Sequence, residues 1–513
     1  VRVNLLRPAR DNTARAAVGD SVFEDLGLEL LCGAMADGDP VVLEAVRAVL
    51  AAPETDPGVI RYRHAVLADC RAHPAAVREF YRIATEATEV KRWTVGPAHH
   101  ADGKLLLARQ PLLELITSLR QLSAHCDRHG RAFRSPGFGD LLATVAAELD
   151  DSYLDSIETQ LAAMDFEHGI HLGAGLGAGN TIANVVLHEP IRRRRFGLDR
   201  RTGHAFRVIE EPEAEFDPVM QLRGRALAGI ADVVNDAADH VQDFFRRLRD
   251  ELAFYLGCLT LYDRLTGAGL PVCLPTPHPA GTPRLRCTGL RDVALCLTAG
   301  RPGSGDPGPG PASGRSLLVG NDIDASGRSL IVVTGANSGG KSTLLRGIGV
   351  AQLMMQAGMF VVADGFEADL CDGMFTHFVA DEDRTMSHGK LVDELARMSH
   401  IVDRLRPNSL LLCNESFSST SERDATRIAE PLVESLVANG IRVVFVTHLY
   451  EFAHRRYSSG QSTDLFLRAG HQPDGTRTFR FGPGPPEPTS HAADVFRRIL
   501  GRMPGEIAHL ASP

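Results

Sequence analysis

Long hydrophobic runs are missing from this sequence. The longest apolar stretches, such as Leu353–Val362, are broken by Gln356 or flanked by charge. None approaches the ~18–20 residues that a membrane-spanning helix needs. The opening residues Val1-Arg2-Val3-Asn4-Leu5 have no apolar core followed by a small-residue cleavage site, so no secretory leader is read. Paired cysteines are missing as well. The nine cysteines are scattered from Cys32 to Cys413, with no Cys-x-x-Cys pair and no histidines at zinc-finger spacing. An odd, unpatterned set lying mostly in apolar runs implies reduced core thiols and a cytoplasmic location, and it excludes a disulfide scaffold. There is no surplus of positive charge either. The formal net charge is -9, so any contact with nucleic acid requires a local basic patch.

What is present is an ordinary globular composition, 44% hydrophobic and 23% charged over 513 residues, which excludes wholesale disorder. Residues 25–165 carry apolar side chains at spacings of three and four, as in Leu112-Leu113, Leu115-Ile116 and Leu119, or Leu141-Leu142, Val145 and Leu149, and predict helices. From Gly169 to Pro218 the texture turns Gly-rich, then basic, then acidic, which predicts an irregular or hairpin-rich insertion. A long helical pattern resumes from about Val219 to Leu265. Gly300–Gly314 is rich in Gly and Pro, cannot bury a core and predicts a loop or linker. Beyond it, short runs at Ser329–Thr334, Phe360–Val362, Leu410–Cys413 and Val443–Val446 alternate with helical segments, the rhythm of a parallel sheet. Gly482–Pro488 precedes a final helix at about Ala492–Leu500.

Gly335-Ala336-Asn337-Ser338-Gly339-Gly340-Lys341-Ser342 fits the phosphate-loop pattern G-x-x-x-x-G-K-[ST] in full, and it lies between a predicted strand and a predicted helix. Glycines let successive backbone N–H groups turn toward phosphate oxygens, and the helix N-terminus adds partial positive charge. Lys341 then supplies a charge to the β- and γ-phosphates, and the Ser342 hydroxyl suits Mg²⁺. The alternative, a chance match in a Gly-rich turn, is disfavoured by the strand–loop–helix setting. A second apolar strand ends in Asn414-Glu415, where Glu415 is placed to polarise water and Asn414 can bond a metal-bound water without bringing charge. A third ends in Thr447-His448, a histidine that either senses the γ-phosphate or is simply solvated.

These residues resemble the MutS family of DNA mismatch-repair ATPases. Thr334–Thr343 is similar to its nucleotide loop. Asp372–Thr376, Ala380–Asp383 and Gly389 are similar to its stretch between the phosphate loop and the metal-binding strand. Asn414-Glu415 with Thr420-Ser421 and Asp424 falls on its D-E-x-x-x-x-T-S-x-x-D signature, and Thr447-His448 on its switch histidine. Val319–Asp322 resembles the segment leading into its ATPase domain, and Ile60–Leu67 the start of its helical core. The resemblance implies an α-helical core and lever followed by an α/β P-loop NTPase domain of ABC type, a parallel sheet flanked by helices. Its divisions would be an N-terminal segment 1–24, a core and lever 25–295 with a DNA-clamp insertion at 169–218, a linker 296–318 and an ATPase domain 319–513.

It also implies ATP and Mg²⁺ as cofactors. Gly335 to Thr343 would hold nucleotide, Ser342 and Asn414 metal, and Lys341, Glu415 and His448 would carry the chemistry. A homodimer is implied, in which Ser421 reaches the partner's γ-phosphate; the plainer alternative is a turn serine.

The chain departs from the family in several places. No Phe-x-Glu occurs, and only about 20–25 residues precede the core-like segment, so the mispair-recognition and connector domains are expected to be absent. The chain ends soon after the last ATPase motif, so the Smr nuclease of the second bacterial branch is expected to be absent too. Asn414 stands where the family has Asp, and Ser416, Phe417, Ser418 and Ser419 replace an apolar–Gly–Arg–Gly run. These changes predict slow hydrolysis rather than none.

Seven arginines, Arg192, Arg193, Arg194, Arg195, Arg200, Arg201 and Arg207, fall within 16 residues against one acid, Asp199. They read either as a salt-sensitive clamp on DNA backbone or as a solvated turn paired with the acids from Glu210 to Glu215. The expected function is a DNA-clamping ATPase in repair or recombination control. Its rivals are a nucleotide-gated scaffold that barely hydrolyses ATP, and an ATPase acting on RNA or a protein complex. An ABC-transporter subunit is disfavoured by the lack of a Leu-Ser-Gly-Gly-Gln signature and of any membrane segment.

Overall fold

The computed structural model describes residues 3–9, 11, 13–91, 101–164, 171–176, 182–188, 218–299, 318–336, 339–379, 389–471 and 477–487. The arginine run, Asn337 and Ser338, the Gly/Pro-rich loop at 300–314, Ala380–Asp383 and the helix expected at 492–500 lie outside them. The chain divides into two compact units. One comprises Val1–Asn4, Ala75–Arg134 and Phe138–Leu252; the other comprises Leu5–Pro74, Ser135–Gly137 and Ala253–Pro513.

The first unit is helical, as the three- and four-residue spacing requires. Helix Ala101–His129 turns Leu112, Leu115, Ile116, Leu119 and Leu122 inward. Phe80 fills the core beside Phe133 and Phe138, with the His125 ring edge-on to it at 4.4 Å. Within the insertion, His171–Leu176 and Ile182–His188 pair as an antiparallel hairpin. The helix that resumes after it, Pro218–Gly267, runs for 50 residues, of which those up to Leu252 belong to this unit and those from Ala253 to the other.

The second unit is built on a seven-stranded sheet. Its order across the sheet is Ala17–Val18, Gly373–Phe378, Leu410–Asn414, Arg442–Val446, Leu330–Thr334, Asp464–His471 and Arg477–Pro483. All neighbours are parallel except the last pair. Helices cover the sheet, so its central strands are apolar without alternation; Leu330–Thr334 and Arg442–Val446 are buried at every position. A four-stranded sheet made by Thr276–His278, Gly365–Asp369, Leu285–Leu290 and Asn321–Asp324 completes the unit.

Several details differ from the sequence reading. Phe360–Val362 is not a strand of the sheet. It is a buried extended segment, bridged only at Val361 to Cys273, that leads from the end of helix Lys341–Gln356 into Gly365–Asp369. The parallel strand expected there is Gly373–Phe378, whose Thr376 and His377 broke the apolar pattern yet are buried. Ala17–Val18, from the segment set apart as 1–24, forms an edge strand of the sheet. All nine cysteines are free; eight are buried and Cys273 is half-buried. Burial pushes a thiol such as Cys413 up to about 12, the behaviour of core cysteines. No helix among the described residues is long and apolar enough to cross a membrane.

The far end of helix Lys341–Gln356 is held by buried polar groups. Glu54 N–H donates to the Gln356 carbonyl at 2.9 Å, and Gln356 Nε2 donates back to the Glu54 carbonyl at 2.8 Å. Arg63, only 1% exposed, pairs with the Glu54 carboxylate and donates from Nη1 to the Ala357 carbonyl at 2.9 Å and from Nε to the Leu6 carbonyl at 2.8 Å. A cation at a helix C-terminus also meets the negative end of its dipole.

Candidate nucleotide site

Three adjacent parallel strands, Leu410–Asn414, Arg442–Val446 and Leu330–Thr334, end side by side. Lys341, Ser342, Asn414, Glu415, Ser421 and His448 lie at or beyond one of those ends, where open parallel sheets gather their ligand-binding loops. Gly335 leaves its strand at φ 128, and a Cβ there would come 2.9 Å from the Ala469 Cβ, so the loop requires glycine at this position. Gly340, at φ 89, precedes helix Lys341–Gln356 and provides no side-chain cap. The first N–H groups of that helix thus lack side-chain acceptors, the usual setting for an anion. Lys341 is 4% exposed, and its Nζ donates to the Gly335 carbonyl at 2.8 Å and the Ala336 carbonyl at 3.2 Å. Burial draws the ammonium below its ordinary value, while the nearby Glu415 carboxylate opposes that shift.

The Ser342 hydroxyl donates to the Asn414 side-chain carbonyl at 2.9 Å. Both are hard oxygen donors, and Mg²⁺ needs few of them from protein because it retains waters and takes phosphate oxygens. The pair therefore fits Mg²⁺ bound with a nucleotide. Among the described residues there is no group of three or more His, Cys, Asp or Glu side chains able to hold a metal alone. Asn414→Asp would add the missing charge. We expect it to lower the Mg²⁺ concentration giving half-maximal ATP binding about tenfold, a change of ~1.4 kcal/mol within the range of a charge-assisted contact. A titration of nucleotide binding against Mg²⁺ checks this.

Glu415 extends its strand by donating its N–H to the Val446 carbonyl at 2.8 Å, then turns at φ 56. Its Oε1 lies 2.7 Å from His448 Nε2, which donates to it. That bond, helped by the charges of His448 and Lys341 and opposed by burial, holds the Glu415 carboxyl below its ordinary range, so it is an anion at neutral pH. Ser421 is exposed and caps helix Glu422–Ala438: its Oγ accepts from Asp424 N–H at 3.2 Å and donates to Asp424 Oδ2 at 2.8 Å. Within one chain this is the work of a turn serine at a helix start.

A cleft of about 310 Å³ joins Lys341, Ser342, Thr343 and Glu415 to an apolar end formed by Leu290, Leu295, Leu318 and Phe479. Asn321 holds the wall: its Nδ2 donates to the Phe479 carbonyl at 3.2 Å and its Oδ1 accepts from Phe481 N–H at 2.9 Å. Sequence reasoning offered no residue for a nucleobase. The only local signal was the segment Val319–Asp322; Phe479 arrives through the pairing of Asp464–His471 with Arg477–Pro483 and carries no motif.

A glycine loop between a central strand and a helix, set in a parallel sheet flanked by helices, is consistent with a P-loop ATPase fold. Comparison with known proteins gives the family. Residues 55–268 match the family model described as MutS2 N-terminal domain, and residues 331–480 match MutS domain V. The chain belongs to the MutS family. The match to MutS domain V and the fold together support ATPase activity in general.

Among its relatives is the DNA mismatch repair protein MutS of Chloroflexus aurantiacus, 30% identical over 288 residues that cover 51% of this chain and 29% of the relative. MutS of Roseiflexus sp. is 26% identical over 331 residues, 62% of this chain and 28% of the relative. MutS of Myxococcus xanthus is 34% identical over 170 residues, 31% and 18% respectively. The aligned part of the chain thus spans less than a third of each of these relatives.

Proposed function

We propose that this protein binds ATP with Mg²⁺, hydrolyses it slowly, and uses the cycle to clamp DNA as a homodimer in repair or recombination control. The observation that carries the reading is the convergence of Lys341, Ser342 and Glu415 on one cleft, with Asn414 bonded to Ser342 and His448 to Glu415. The triphosphate would lie over the start of helix Lys341–Gln356, with the loop residues Gly335 to Thr343 around it and the base toward Phe479 and Leu318. Phosphate oxygens would replace the Gly335 and Ala336 carbonyls as acceptors for Lys341 Nζ. Ser342 and Asn414 would hold Mg²⁺, which when bound neutralises phosphate charge. Glu415, an anion oriented by His448, would accept the proton of the attacking water, and His448 would report the γ-phosphate. In a dimer, Ser421 at its helix start would face the partner's γ-phosphate. The insertion 169–218, with Arg192–Arg195, Arg200 and Arg201, would supply the DNA contacts, made to backbone rather than bases.

Steady-state ATP hydrolysis, alone and with homoduplex, mismatched and four-way-junction DNA at two salt concentrations, tests this reading. Salt-sensitive stimulation by at least one DNA is expected. No response from folded, ATP-bound protein would remove DNA as partner. Deleting Arg192–Arg195 should abolish the stimulation; if the stimulation survives, DNA is held by other residues and the arginine run is not the contact, whereas no DNA response in the parent protein would bring forward an RNA or protein partner. One observation favours a second reading: the Ser342–Asn414 pair brings no negative charge to the metal, as in a nucleotide-gated scaffold. Single-turnover kinetics separate the two, because a scaffold would show binding without a measurable hydrolytic phase.

A further inference from the structure

The run Ser416–Ser419, which replaces the family's apolar–Gly–Arg–Gly, is not loose polar filler. Two residues of this turn, Glu415 at φ 56 and Phe417 at φ 67, occupy the left-handed region. Phe417 holds that conformation at the place of a family glycine, where a bulky side chain is strained. Such a turn persists only if its surroundings hold it. Phe417 is fully buried in the core beside the sheet. Between the two left-handed residues Ser416 points inward and is 1% exposed. Its Oγ lies 2.7 Å from His377 Nδ1 and 3.0 Å from the His377 carbonyl.

His377 is itself 1% exposed and sits on strand Gly373–Phe378, in register with Cys413 two residues before Glu415. Its Nε2 lies 3.1 Å from the Glu394 carbonyl, which can only accept. Nε2 is therefore assigned the proton, and in the neutral ring, favoured by burial, Nδ1 can only accept, so the single Ser416 hydroxyl proton is shared between Nδ1 and the His377 carbonyl. The ring also lies 5.7 Å from that of Phe417. Ser419 closes the arrangement by donating to the Glu394 carboxylate. Glu394 of helix Lys390–Arg404 thus bonds Ser419 directly through its carboxylate and Ser416 by way of His377 through its carbonyl.

We infer that His377 and Ser416 are positioning residues for hydrolysis: their buried hydrogen bond holds the strained turn that aims the Glu415 carboxylate at the γ-phosphate end of the cleft. The inference rests on the reading of Glu415 as the base. A misdirected base costs rate while the nucleotide contacts made by Lys341 and Ser342 remain.

The experiment measures single-turnover hydrolysis and ATP affinity in full-length Ser416→Ala, His377→Gln, Glu415→Gln and the double variant S416A/E415Q. Ser416→Ala removes one oxygen and cannot overpack. His377→Gln keeps a donor for the Glu394 carbonyl while losing the Ser416 acceptor. Each is expected to slow hydrolysis about tenfold with ATP affinity held within about twofold. Adding S416A to E415Q is expected to slow it no further, because the hydroxyl works through the carboxylate. An unchanged rate in Ser416→Ala, an equal further loss in the E415Q background, or a loss that follows ATP affinity would overturn the inference. If Glu415→Gln itself leaves the rate unchanged, the assignment of the base fails first and this inference with it. A slowed Glu415→Gln beside an unaffected Ser416→Ala would sink the positioning role alone.

Discussion

Glu415→Gln is expected to slow single-turnover ATP hydrolysis by about a hundredfold to ten-thousandfold, the range of a lost general base, while ATP affinity changes by less than about threefold. The substitution preserves shape and a partner for His448, whose Nε2 stands 2.7 Å from the carboxylate. What it removes is the ability to accept a proton. The carboxyl is held below its ordinary range by His448, so at neutral pH the wild-type group is an anion, as the proposed base must be. The sign of the pH dependence follows. A base with a lowered pKa stays active as the pH falls, until it is protonated below the ordinary carboxylate range. Rapid-quench kinetics beside equilibrium ATP binding make the check. A variant as fast as the parent would move the base elsewhere and leave the Glu415–His448 pair a structural one.

The second large effect is on stability. Arg63→Ala is expected to destabilise the unit that contains the seven-stranded sheet by about 3–5 kcal/mol, the usual loss when one partner of a buried ion pair is removed. The guanidinium satisfies the Glu54 carboxylate and the carbonyls of Leu6 and Ala357 together. Arg7, with Nη2 2.8 Å from the Glu54 carboxylate, would soften the loss without reaching the two carbonyls. Arg63→Lys should recover only part, since one ammonium cannot reproduce a planar fork across three acceptors. Gly358, at φ 77, would bring a Cβ within 2.5 Å of the Arg63 Cβ, so the two positions are packed together and neither can grow. Urea unfolding of the full chain, followed by a probe in the sheet unit, reads the shift. Because Ala357 caps the helix that starts at Lys341, the same variant should weaken ATP binding modestly. An unfolding midpoint that does not move would show that the pair is replaceable by water.

The strand–glycine loop–helix element was legible because its demands are local: a strand, glycines at fixed offsets, a lysine and a hydroxyl all lie within a few residues. The strands Leu330–Thr334, Leu410–Asn414 and Arg442–Val446 were legible for a similar reason, since burial on both faces leaves no polar position to interrupt them. Helix Pro218–Gly267 declared itself through sustained three- and four-residue spacing. Gly373–Phe378 escaped because Thr376 and His377 interrupt its apolar run. Only the fold shows that His377 is paired on both ring nitrogens, with Ser416 and Glu394. Ala17–Val18 is two residues long, too short for any periodicity to mark, and its place is set by Gly373 and Met374, which lie far along the chain.

By itself, then, the sequence determined the glycine loop between strand and helix, the Asn414-Glu415 and Thr447-His448 strand ends, the helical first half and the family resemblance, since each depends on residues close together in the chain. Tertiary structure alone decided what meets them. It brought Phe479 and Asn321 to the wall of the cleft, tied the Glu415 carboxylate to His448, and gave the divergent serine run its partners. It also set Arg63 under the end of the helix that begins at Lys341. The physical reason is common to all four. Burial makes an unpaired polar group or an unsupported strained turn costly, and the group that relieves the cost is chosen by proximity in space, which no local pattern of residue types encodes.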